Sequence, residues 1–197
     1  KDEYNDVSVD RVRIGFANLQ RHIENVQKFG IKPVVAINNF ITDSSEEIEL
    51  VKELCLEMGV KAVLSQGWEK GGEGTRDLAS KVAESAESGE SNFQKLYDWN
   101  DSIDAKIKTI AREIYRAEEV EYSPQARREM KMIEALGLDK LPICMAKTQK
   151  SFSDNEKMVN APEGFTVTVR EFEMAIGAGF LIPILGKMMR MPGLPAV

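Results

Sequence analysis

The stretch PVVAINNFITDSSEEIELVKELCLEMGVKAVLSQGWEKGGEG (33–74) decides how the rest of the chain is read. PVVAI (33–37) is a short β-branched run bounded by turn residues, the pattern of a buried strand. Ser44 and Glu47 have the Ser-x-x-Glu spacing of a helix capping box. Ile48, Val51, Leu54, Cys55 and Met58 then recur at helical spacing, and Gly59 stops the run. KAVLS (61–65) is a second strand, followed by the glycine-rich turn Gly71–Gly74 and a helix carrying Leu78 and Val82. Strand, helix and strand in succession predict βαβ units, hence an α/β fold with a mostly parallel or mixed sheet flanked by helices.

Working outward, Phe16, Leu19, Ile23, Val26 and Phe29 form one face of an upstream helix that ends at Gly30. Residues 84–92 are small, polar and acidic, and read as an exposed connection. Ile103, Ile107, Ile110 and Ile114 mark a long helix. Ser123-Pro124 is a cap followed by a first-turn proline, opening a helix that closes at Gly137. LPICMA (141–146) is expected to be a buried strand, FTVTV (165–169) alternates, and 170–176 is expected to be helical.

The chain has 197 residues, with 26 basic against 32 acidic side chains and a net charge of −6. That size suits one large domain or two small lobes. The acidic balance argues against nucleic acid as a partner. FLIPIL (180–185) is far shorter than the roughly 20 apolar residues that span a bilayer. Two cysteines, Cys55 and Cys144, make neither a disulfide framework nor a zinc site, and both read as small buried hydrophobes. One histidine, His22, excludes multi-histidine metal centres. The opening KDEYND has no signal-peptide pattern, so a reducing, cytoplasmic setting is expected. Because Lys1 is not methionine, the chain is expected to be a fragment or a processed product.

Phe40 lies three residues past the first strand and Trp68 three past the second. Ligands of open α/β sheets bind beyond the carboxyl ends of the strands. Two aromatics at equivalent exits are either placed to face one crevice and suit a flat heteroaromatic guest, or are ordinary core or rim aromatics. The loop Gly71–Thr75 precedes a helix and either presents N–H groups to an anion or is a tight turn; Glu73 opposes phosphate. Lys140, Lys147 and Lys150 form an acid-free patch that would meet phosphate or carboxylate, or is a solvated loop. Met188, Met189 and Met191 near the end read as packing or partner contact. No nucleophile motif, metal-ligand cluster or Gly-x-Gly-x-x-Gly is present, and Ser151 to Asp154 is too local to make a triad.

FANLQRHIENVQKFGIKPVVAINNFITD (16–43), GWEKGGEG (67–74), LDKLPICMAKTQKSFSD (138–154), APEGFTVTVRE (161–171), GAGFLIPILG (177–186) and MPGLP (191–195) together resemble formate–tetrahydrofolate ligases. The resemblance runs from about residue 10 to the end, and is to the C-terminal portion of a longer enzyme. It implies an ATP-dependent ligase that forms 10-formyltetrahydrofolate from formate and tetrahydrofolate through formyl phosphate, with ATP and magnesium in the full enzyme. It implies a homotetramer in the cytoplasm. It implies that residues 1–30 are a helical lead-in from an N-terminal domain and 31–197 an α/β folate-side domain. The family stacks the pterin between a phenylalanine and a tryptophan that fall on Phe40 and Trp68; Gly67 and Glu69 depart from its pattern around that tryptophan. Asn38, Ala161 and Pro162 are implied as walls of the nucleotide cleft. The phosphate-binding loop has no counterpart, since no Gly-x-x-x-x-Gly-Lys-Ser/Thr occurs in the 197 residues. The implied chain supplies no catalytic or metal-binding residue and is inactive alone. The alternatives are a non-catalytic folate-binding module and a structural or assembly module.

Overall fold

A computed structural model describes residues 6–186. The chain divides into two compact units, residues 1–94 and 95–197. Each is α/β, built on a small sheet flanked by helices.

In the first unit, α1 (Val9–Gln27) starts at the Ser8 cap and gives way to Gly30, which takes a left-handed φ of 68°. This helix, expected as a lead-in, packs Phe16, Leu19 and Ile23 onto Cys55 and Val60. β1 (Val34–Asn38) and β2 (Lys61–Ser65) pair in parallel, with Asn38 level with Ser65. Between them runs α2 (Ser45–Glu57), whose capping box is complete: Ser44 Oγ accepts from the Glu47 N–H, and Glu47 accepts from the Ser44 N–H. The chain then makes the short helix α3 (Gly67–Lys70), a 3-10 turn (Gly71–Thr75) and α4 (Arg76–Glu87). The connection expected at 84–92 is therefore shorter, because α4 continues to Glu87 through small and charged helix-compatible residues.

The second unit carries the larger core. α5 (Ile103–Ile110) begins at the Ser102 cap and runs into a π-helical turn (Ala111–Tyr115). β3 (Glu119–Tyr122) follows, and α6 (Pro124–Ala135) starts with the Ser123 cap and Pro124 in its first turn. β4 (Thr166–Ala175) pairs in parallel with β3 and antiparallel with β5 (Phe180–Leu185), so this sheet is mixed. Ile103 and Ile107 of α5, Ile133 of α6, Val167 and Val169 of β4, and Leu181 of β5 form the dry centre. Lys106 is also fully buried; its ammonium donates to the carbonyls of Asp139 at 2.7 Å and Leu141 at 3.1 Å.

Three expectations are corrected here. Residues 170–175 are strand, not helix. A register shift between Val169 and Glu171 breaks the alternation, so the buried positions run Val167, Val169, Phe172 and the simple period of two is lost. LPICMA is extended but joins β5 only through isolated bridges at Ile143 and Ala146. Pro142 and Pro183 have no N–H to complete a ladder. Ile143 is buried, whereas Cys144 points the other way and is exposed rather than buried. Cys55 is buried as expected. No helix among the described residues is long and apolar enough to cross a membrane. The methionines at 188, 189 and 191 and the MPGLP string lie outside the described residues.

Candidate functional site

The level ends of β1 and β2 bring two aromatic side chains together. Asn39 extends the strand pairing by one bond, its N–H donating to the Ser65 carbonyl at 3.0 Å. The chain then turns: the Phe40 N–H donates to Asp43 Oδ2 at 2.8 Å, and the Asp43 N–H donates back to the Phe40 carbonyl at 3.1 Å. On the neighbouring strand exit, the indole Nε1–H of Trp68 donates to the Asn39 carbonyl at 2.7 Å. Gln66 Nε2 donates to Asn39 Oδ1 at 3.3 Å. The rings of Phe40 and Trp68 stand 6.4 Å apart between centroids and 25° from parallel. They are 52% and 56% exposed, so neither is a core residue. Two stacking contacts of about 3.5 Å separate a sandwiching pair by about 7 Å. The observed spacing lies in the ordinary range for two rings in direct offset contact and falls short of a full sandwich.

The turn after Trp68 is shaped by one close approach. The Gln66 N–H donates to the Gly74 carbonyl at 3.0 Å, and a Cβ on Gly74 would meet the Gln66 carbonyl oxygen at 2.5 Å. Only glycine fits there. Glu73 pairs with Arg76 at 3.0 Å and Thr75 Oγ1 donates to the Gly72 carbonyl, contacts that belong to a tight turn.

The lysine patch of the second unit is spent on local partners. Lys140 pairs with Asp139 at 3.2 Å and Lys150 with Glu156 at 2.9 Å. Lys147 donates to the carbonyls of Thr148 and Ser151 and lies 5.0 Å from the centre of the Tyr115 ring. Burial lowers its pKa, partly offset by Asp154. Burial pushes the Tyr115 hydroxyl up to about 12.

A family model for formate–tetrahydrofolate ligase matches residues 1–197. The chain belongs to this family. The family is an ATP-dependent ligase of one-carbon metabolism that acts on formate and tetrahydrofolate. Of the residues implicated in this ligase-family chain by sequence, Phe40 and Trp68 are neighbours. Asn38 ends β1 in the first unit, while Ala161 and Pro162 follow Asn160, of left-handed φ 67°, in the second. Among the described residues no group of three His, Cys, Asp or Glu side chains is arranged to hold a metal. Sequence reasoning missed Asn39 and Asp43, which fix the aromatic pair. Their signal was the Asn-x-x-x-Asp spacing around Phe40, a pattern of side chains that bond the local backbone.

Proposed function

We propose that this chain is the folate-side, C-terminal portion of a formate–tetrahydrofolate ligase, with Phe40 and Trp68 as the clamp on the pterin ring. The stacked, half-exposed pair at adjacent strand exits carries the reading. The Asn39 carbonyl anchors the indole, so the tryptophan is pre-oriented and little side-chain entropy is lost when a guest arrives. Asn38 in the first unit, and separately Ala161 and Pro162 in the second, are the residues this reading assigns to nucleotide binding. Phosphoryl chemistry needs cations positioned around phosphates, which on this reading lie outside these residues. The role here is positioning: the clamp sets the tetrahydrofolate amine against the formyl carbon, a proximity effect. On this reading the chain alone gives no ATP- and formate-dependent turnover.

Tryptophan fluorescence tests the clamp. Tetrahydrofolate quenches the wild-type chain and the Trp99→Ala variant, and fails to quench Trp68→Ala. Loss of one stacking face, about 1–3 kcal/mol by analogy with base stacking, weakens binding roughly ten- to hundredfold. Equal quenching and equal affinity in the two variants would remove Trp68 from the site.

A further inference from the structure

The amino ends of β1 and β2 lie at the other end of the same strands from Phe40 and Trp68. A cavity of about 250 Å³ opens there, lined by Lys32, Lys61 and Lys81 with Glu84 and Glu90. Three ammonium groups face two carboxylates. Lys81 Nζ holds both Glu84 oxygens at 2.8 Å. Lys61 reaches Glu84 only at 3.7 Å and is 61% exposed, so most of its three N–H donors remain available. Lys32 is paired with Glu90.

The wall carrying Lys32 continues into a second aromatic pair. Residues 29–32 run alongside 90–94. The Gln94 N–H donates to the Phe29 carbonyl at 2.9 Å, the Asn92 N–H to the Gly30 carbonyl at 2.7 Å, and the Lys32 N–H to Ser91 Oγ at 3.2 Å. A Cβ at Gly30 would meet the Asn92 oxygen at 2.0 Å, so this approach requires glycine. The rings of Phe29 and Phe93 stack 6.2 Å apart and within 4° of parallel, and Phe93 is 64% exposed. Phe29 and Lys32 are three residues apart across the Gly30 turn, so their backbones lie within about 10 Å of each other.

We propose that this end of the unit is a second binding site, for an aromatic phosphate ester whose ring lies on Phe93 and whose phosphate takes the donors of Lys61 and Lys32. The excess of one ammonium favours an anion, and a dianion competes best with Glu84 and Glu90 for the lysines. The exposed parallel ring supplies the stacking face. Nothing in this argument depends on the pterin clamp.

Titration of the full chain with 2-naphthyl phosphate, inorganic phosphate and 2-naphthol, followed by amide spectra and calorimetry, tests the site. Naphthyl phosphate is expected to bind about tenfold tighter than inorganic phosphate and to shift amides in 28–34 and 81–94. Lys61→Gln weakens naphthyl phosphate by about three- to tenfold, the scale of one charge-assisted contact. Phe93→Leu removes the advantage over inorganic phosphate and leaves phosphate binding in place; the residue is exposed, so the core is not emptied. Trp68→Ala leaves binding intact. Equal affinity for the two phosphates, amide shifts confined to residues 38–43 and 65–75, or loss of binding in Trp68→Ala each overturn the proposal. The last two outcomes assign the ring to the Phe40–Trp68 pair instead.

Discussion

The two units share a class of fold and differ in what their sheets are used for. In residues 95–186, β4 and β5 bury Val167, Val169, Leu181 and Leu185 completely beneath α5 and α6. In residues 6–94, no residue of β1 or β2 is fully buried, and the packed centre is Ile23, Cys55 and Val60. Parallel strands usually have both faces covered. The first unit instead spends its aromatic area outside, in Phe40, Trp68 and Phe93. The lesson is one of division: the second unit is stabilised by its interior, while the first holds exposed rings on short strands fixed by hydrogen-bonded turns.

The comparison breaks most readily at the core. Ile107 is fully buried among α5, α6 and β4, and Ile107→Ala is expected to cost about 3 kcal/mol from lost transfer energy and the cavity left behind. Leu56 in the first unit is 71% exposed, and Leu56→Ala is expected to cost less than about 0.5 kcal/mol. Urea unfolding of both variants measures the difference. Similar costs would mean that apolar burial does not separate the units.

Lys106 sharpens the same contrast, because it places an ammonium in the interior of the well-packed unit. Lys106→Met keeps the stem and removes both donors, leaving the Asp139 and Leu141 carbonyls unsatisfied at about 2 kcal/mol. The pH dependence has a definite sign. Burial lowers the lysine pKa below its ordinary 10.5 despite the pull of Asp139. The folded state therefore releases its proton first, and the unfolded state binds more protons in the window just below 10.5. Stability of the wild type relative to Lys106→Met should rise as pH climbs through that window. A gap that stays constant or narrows there contradicts the desolvated ammonium.

How much of this was legible differs between the units for a physical reason. β1, α2 and β2 follow local signals: β-branched runs, a capping box, a glycine stop. KAVLS matches β2 residue for residue, and the Ser44–Glu47 box is formed as its spacing requires. The second unit depends on non-local pairing. β3 is only EVEY, a short acidic segment whose strand character comes from lying beside β4, so nothing local announced it. The bulge at Arg170 and the two prolines near LPICMA altered periodicity in ways that only the partner strand reveals. At the candidate site, the chain positions of Phe40 and Trp68 were readable because each closely follows a strand end, Phe40 two residues past Asn38 and Trp68 three past Ser65. Their mutual distance was not, since it is set by the Trp68–Asn39 bond and the Asp43 turn. The spacing of Lys140, Lys147 and Lys150 looked like an anion patch because charge was counted along the chain, whereas Glu156 and Asp139 neutralise two of them in space.

The smallest effect concerns the turns that stand in for a core in the first unit. Glu47 closes the α2 capping box and also accepts from the Ser8 N–H at 2.8 Å, so one carboxylate joins the starts of α1 and α2. Hydrogen bonds from the Ser8 and Ser44 backbones, then from the Ser44 hydroxyl, hold its pKa below the ordinary 4.5. A depressed carboxyl contributes stability that is fully present above 4.5 and fades as pH falls through its folded value. Ser44→Ala should cost about 1 kcal/mol at neutral pH. Glu47→Gln should flatten the loss of stability below pH 4.5 while leaving the unfolding of residues 95–197 unchanged. If the acid limb of the stability curve is the same in wild type and Glu47→Gln, the two helix starts are not held by this carboxylate, and the exposed rings owe their placement to the Asn39 and Asp43 turn alone.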